Sequence, residues 1–205
     1  MEFSNKLPSA TEYTITGGSW NAEYQVVLDG TTLYHVTNTS STPDKPYLTF
    51  YAGDSADSPI VGSGKYISFS SNIQIILGDP DLPKTVTSAK LSKKGFMATR
   101  HVFQMEVDRQ MRTFAWKNTE LNDNFGPLGS HKLVNEANEV IASFLPGGAR
   151  LKPDGALLLY ADFGDSFVLM ALITALVLRE KTRRSVNGGY GNNLRFQDAG
   201  ATGFT

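Results

Sequence analysis

Two ionisable side chains of different kinds share the stretch RHVFQMEVD, Arg100 to Asp108: His101 and Glu106. An imidazole titrates near neutrality and a carboxylate can take or give a proton, so either can serve as acid or base in a reaction that needs no cofactor. Strand alternation puts His101 on one face with Phe103, Met105 and Val107, and Arg100, Gln104, Glu106 and Asp108 on the other. His101 is therefore expected to point inward, as a proton-transfer residue or as a core histidine satisfied by its neighbours. Glu106 is catalytic only on the first of these readings; otherwise it belongs to a charged outer face. His35 can face either way, and His131, at a loop-to-strand junction, is expected to be exposed. No two histidines have the spacing of a metal site, and the chain has no cysteine, so neither a metal nor a cofactor is expected.

A second chemistry lies in KTVTSAKLSKKGFMATR, where Lys84, Lys90, Lys93, Lys94 and Arg100 gather about a glycine-containing turn. Clustered bases on a hairpin can hold phosphate groups; the plainer alternative is a loop kept soluble by its lysines. Arg112, Phe114 and Trp116 share one face of RTFAWKN. Together they form either a recognition surface for an anionic, partly apolar ligand or a structural stack in which the arginine stem covers a ring. The expected ligand set is thus Lys90, Lys93, Lys94, Arg100, Arg112 and Trp116, for an anionic lipid or a hydrophobic small molecule. No recognition helix or RNA-binding aromatic pair accompanies these bases, so nucleic acid is not an expected partner. GSGK at Gly62 to Lys65 lacks the upstream glycine spacing and the following helix of a phosphate loop, and no G-x-S-x-G elbow occurs.

The elements that must carry these residues are mostly strands. From Thr11 to Tyr160 the chain reads as short β-segments broken by Gly, Pro, Asn and Asp: TEYTIT, EYQVVLDG, TTLYHVTN, PYLTFYA, KYISFS, NIQIIL, TVTSAKLS, RHVFQMEVD, MRTFAWKN and ALLLYADF. KLVNEANEVIASFL could be helical by composition, but Asn138 divides it and Pro146-Gly147-Gly148 stops it, which favours a hairpin. Asp29-Gly30 marks another hairpin.

DSFVLMALITALVLREKTRR is the exception. Phe167 to Leu178 is apolar throughout except for Thr174, with acids before it and bases after it, as the helix macrodipole favours, and with Asp165 or Ser166 as N-cap. Its apolar part is about 18 Å long, too short for a bilayer core of about 30 Å. A helix apolar on every side that spans no membrane is expected to be enclosed by protein, here over Ser166 to Lys181; the alternative is a re-entrant or interfacial segment. Acids and bases nearly balance, 20 against 19, so no global field draws the chain to a polyanion. Without cysteine and without a signal peptide in MEFSNKLPSATEY, a cytoplasmic location is expected.

RTFAWKN at Arg112 to Asn118, KLVNEANEVIASF at Lys132 to Phe144 and ALLLYADFGDSFVLMALITALVLREKTRR at Ala156 to Arg184 follow one another as strand, hairpin, strand and apolar helix. That order resembles the second half of the tubby C-terminal-like superfamily, which includes tubby proteins, plant LURP-one-related proteins and phospholipid scramblases. The resemblance implies a closed barrel wrapped around a central hydrophobic helix, and roles in phosphoinositide or other lipid binding and scaffolding; a scramblase-like calcium loop is not evident. The expected architecture is all-β with one helix: a closed antiparallel barrel of about twelve strands over residues 11–184, a flexible segment 1–10 and a Gly/Asn-rich tail 185–205. The expected function is a binding or scaffold module for lipid or a hydrophobic anionic ligand. The competing expectation is a cyclase or isomerase with its pocket at the barrel mouth, and a purely structural partner-binding protein is the third.

Overall fold

The computed structural model describes residues 9–17, 23–39, 47–67, 70, 72–82, 86–95, 100–119, 130–147 and 155–197, with side chains of the last helix described as far as Arg183. The strands are β1 (Thr11–Thr16), β2 (Glu23–Leu28), β3 (Thr31–Asn38), β4 (Leu48–Ala52), β5 (Ile60–Tyr66), β6 (Ile73–Leu77), β7 (Thr87–Lys94), β8 (Arg100–Val107), β9 (Gln110–Asn118), β10 (His131–Val134), β11 (Val140–Pro146) and β12 (Gly155–Leu159). Each pairs antiparallel with the next, and β12 pairs with β1, so the twelve strands close into a barrel. Closure leaves no edge strand to be capped. The helix α1 (Asp165–Gln197) begins at one end of this barrel and runs up its middle.

The tight turns follow local chemistry. Asp29 and Gly30 both take positive φ, 49° and 79°, as a two-residue hairpin requires, and Asn138 takes 64° in the turn that divides β10 from β11. Asp108 and Arg109 join β8 to β9 with φ of 53° and 62°. That geometry is costly for arginine, and the paired strands on either side impose it.

Inside, every residue from Phe167 to Leu178 is buried. Each large apolar side chain among them stabilises the fold by about 1.5–3 kcal/mol relative to exposure. Thr174, the polar exception, bonds within its helix to Met170 O (2.8 Å) and Ala171 O (3.1 Å) and accepts Trp116 Nε1–H at 2.9 Å, so the hydroxyl and the indole satisfy each other. Phe103, Phe114, Phe163 and Phe167 stack beside them.

Three expectations need correction. The fifth strand is IVGSGKY and not KYISFS. Gly62 and Gly64 face α1, and a Cβ on Gly64 would lie 2.5 Å from Val177 Cγ2, so the glycines that read as a break are what lets the helix approach the wall. The helix cap is Gly164, whose carbonyl accepts Val168 N–H at 3.2 Å; Asp165 lies in the first turn, where its charge complements the dipole. The helix also continues beyond Lys181. The loop expected over Leu121 to Ser130, the segment before Ser9 and the residues after Gln197 lie outside the described residues, Ser130 excepted.

The near-neutral total charge hides a polarity. Among the described residues, the turns at the end where α1 enters carry Asp29, Asp54, Asp57, Asp79, Asp81, Asp108, Glu136, Glu139, Asp162 and Asp165, against Arg109 and Arg112. The end where α1 leaves carries Lys65, Lys93, Lys94, Arg100, Lys117, Lys132, Arg179, Lys181 and Arg183, against Glu23 and Glu180.

Candidate ligand-binding site

β7 and β8 hold the wall together over only three residue pairs, Ser92 with Val102, Lys93 with His101 and Lys94 with Arg100. Below them β7 stays on β6 and β8 stays on β9, so Thr87–Leu91 and Phe103–Val107 face each other without a ladder. A groove of about 520 Å³ follows this seam on the outside, with Ser88, Ala89, Lys90, Ser92 and Lys94 on one bank and Val102, Phe103, Gln104 and the exposed Met111 on the other. At the entry end the seam meets a cleft of about 490 Å³ lined by Val61, Leu77, Met105 and Leu169, with Thr87, Glu106 and Ser166 among its polar groups.

The register places a row of cations beside the groove. Lys94 pairs with Arg100, Arg100 with Lys117, and Lys117 with Lys132, across four adjacent strands. Strands are about 4.8 Å apart, so this row spans about 15 Å. Like charges directly opposite one another destabilise a sheet, and here three such pairings are consecutive. Lys117 Nζ donates to Asn138 Oδ1 at 2.5 Å, which disperses part of one charge. Arg100 and Lys117 also line a smaller recess of about 370 Å³ with Val134, Glu136 and Asn138.

The expected ligand residues therefore separate by face. Lys90, Lys94 and Arg100 lie outside, on or beside the seam. Lys93, between them in sequence, shares the inward face with buried Leu91 and stands opposite His101. Trp116 is buried to 1 % exposure and held by Thr174, as in a structural stack. Arg112 lies 5.6 Å over the Phe163 ring and pairs with Asp108 at 3.3 Å, away from the lysines. Glu106 is exposed, on the face opposite His101 and five residues along the strand, about 17 Å away; the two do not form one site.

His101 does point inward and is half-buried, with Nε2 3.4 Å from Lys181 Nζ. Burial, and then the positive charges of Lys181, His131 and Lys93, push its pKa down to about 4. His131, expected to be exposed, is half-buried because it faces inward beside Asn118 and Phe144, and burial lowers its pKa too.

Sequence reasoning passed over the most buried acid. Glu180, fully enclosed, accepts from Tyr24 Oη, from Asn38 Nδ2 (2.9 Å) and from the Arg183 fork (2.7–3.2 Å). Burial pushes its carboxyl up, but Arg183, Tyr24 and Asn38 outweigh that and hold it below the usual range. Burial and the bond to Glu180 push the Tyr24 phenol up to about 12. The Glu180–Arg183 spacing of i, i+3 was readable; Tyr24 and Asn38 are too distant in sequence to announce themselves. The set ties α1 to β2 and β3 where the helix leaves the barrel.

Among the described residues no His, Asp and Glu cluster could hold a metal ion, and no helix is long and apolar enough to cross a membrane. No family model matches the chain, and no curated protein or solved structure is significantly similar to it. The architecture itself, a closed twelve-strand antiparallel barrel with one helix packed inside, fits a tubby-like barrel in its general form.

Proposed function

We propose that the protein is a cytoplasmic member of the tubby-like barrels that binds an anionic, partly apolar ligand, a lipid above all, in the groove between β7 and β8. The observation that carries this reading is the juxtaposition of Lys90 and Lys94 with Ala89, Val102 and the exposed Met111 in one open groove, next to Arg100. Lysine heads extend to meet phosphate or carboxylate while apolar walls take hydrocarbon, and the adaptable Met111 suits an irregular apolar partner. The competing proton-transfer reading has less support: a general base is most effective with a pKa near the working pH, and His101 lies well below that.

Sedimentation with phosphatidylserine-containing vesicles, compared with phosphatidylcholine alone, tests the proposal. Binding is expected to need the anionic lipid and to weaken steeply between low and physiological salt. Replacing both Lys90 and Lys94 by Ala is expected to weaken it about 10- to 30-fold, at about 1 kcal/mol per lysine near an anionic surface, with the melting temperature unchanged. Equal binding to neutral vesicles, or binding indifferent to both lysines, would reject the groove as the site.

A further inference from the structure

The inward-facing side chains of β7 grow more exposed toward the end where α1 enters. Leu91, Ala89 and Thr87 stand directly opposite Ile73, Ile75 and Leu77 of β6, all three core residues. Leu91 is fully buried, Ala89 is half-buried and Thr87 is exposed. Here the strand nears the barrel mouth along the stretch where its ladder to β8 is missing, so the wall is open beside it. Three core side chains border the same gap and keep some accessible surface: Leu77 at 9 %, Met105 at 6 % and Leu169 of α1 at 8 %, whereas Ile73, Ile75 and Leu172 have none. The cleft of about 490 Å³ that they line continues the outer groove on both banks, Thr87 next to Ser88 and Met105 next to Gln104. Charge changes sign along this seam. Lys90 and Lys94 lie at the groove, whereas Glu106 stands at the cleft and Asp79, Asp81 and Asp108 lie in the turns beyond it.

We propose that the cleft seats the hydrocarbon chain of the groove's ligand. A long unbranched acyl chain, its anionic head at Lys90 and Lys94, lies along the seam and passes between β7 and β8 to end against Leu77, Met105 and Leu169. This seat rests on the reading of the outer groove as the head-group site. From Lys90 to Thr87 is about 10 Å of extended strand, so only a chain longer than that gains the cleft. The cleft lies within the range of about 300–1,000 Å³ usual for small-ligand sites. An anionic head is attracted at the lysine end and repelled at the Glu106 end, which gives the amphiphile one orientation. Thr87, Glu106 and Ser166 are all exposed, so the chain displaces water from the three apolar side chains without stranding a buried polar group.

Calorimetric titration of the whole protein with octanoate, decanoate and laurate, each as the monomer, tests the seat. Affinity is expected to rise about twofold or more for each added methylene, against roughly fourfold for full burial. The heat-capacity change of binding should grow more negative along the series. Thr87→Trp, at an exposed position, should fill the cleft and make laurate bind no better than octanoate, while sedimentation with phosphatidylserine-containing vesicles is retained. Methyl NMR signals of Leu77, Met105 and Leu169 should shift with laurate while those of the buried Leu133, on β10, stay still. Equal affinity across the series, laurate binding unchanged in Thr87→Trp, or silent methyl signals would overturn the seat, and vesicle binding retained by the same protein would leave the groove standing. Chain-length-dependent binding that ignores replacement of Lys90 and Lys94 by Ala would overturn the groove as the head-group site and the seat with it.

Discussion

Where β5 meets α1 the wall is stripped of side chains at Gly62 and Gly64, so that Ile173 and Val177 press against backbone; between β7 and β8 the wall keeps its side chains and gives up its ladder instead. One region is closed. The other opens to solvent with lysines on its bank and apolar residues on its floor. A central helix can be fixed by one side of a barrel while the other side is left free for a ligand. If the proposed function holds, substitutions at the first should lower stability while the folded fraction still binds, and substitutions at the second should weaken binding and leave stability unchanged.

The largest effect is expected at Gly64. A Cβ there meets Val177 Cγ2 at 2.5 Å, and valine on a helix has little rotamer freedom with which to yield. Gly64→Val should lower stability by about 1–3 kcal/mol or more, as overpacked cores do. Gly64→Ala should cost less, and Val177→Ala in the same chain should return part of the loss. Denaturant unfolding of the single and double variants measures the coupling; additive losses would mean that β5 and α1 are not in contact as described.

A smaller effect, with its own pH dependence, is expected where α1 leaves the barrel. Glu180 has a folded pKa below its unfolded value, so its ionised form contributes stability above the unfolded carboxyl range, near 4.5, and that contribution is lost as pH falls through the depressed folded value. Glu180→Gln should therefore cost about 1–3 kcal/mol at neutral pH. The gap between wild type and variant should close in acid. A gap that persists to low pH would show that packing, and not charge, holds the Tyr24, Asn38 and Arg183 contacts.

Much of the fold was legible because it rests on local pattern. The run from Phe167 to Leu178, apolar but for Thr174, is too short for a bilayer and too apolar for a surface, which pointed to the interior. Asn138 and Pro146 marked the β10–β11 hairpin by their backbone preferences alone. β5 was misplaced because Gly-Ser-Gly is a poor strand sequence in isolation; only the helix beside it explains the glycines. The site was less legible. Alternation correctly turned His101 inward, but the same rule along β7 separates Lys93 from Lys90 and Lys94, and a sequence cluster conceals that split. The cation row from Lys94 to Lys132 depends on the register of four strands, which no single stretch of sequence encodes.

Spin-labelled anionic bicelles offer the most direct test of where recognition happens, because paramagnetic broadening reports which backbone amides approach the lipid. Amides of β7 and β8 from Lys90 to Lys94 and from Arg100 to Gln104 are expected to broaden strongly. Those of the β5 wall at Gly62 to Gly64 and of the acidic turn at Asp79 to Asp81 should remain sharp. Broadening centred on the acidic turns, or spread evenly around the barrel, would contradict the assignment of the β7–β8 groove as the binding site.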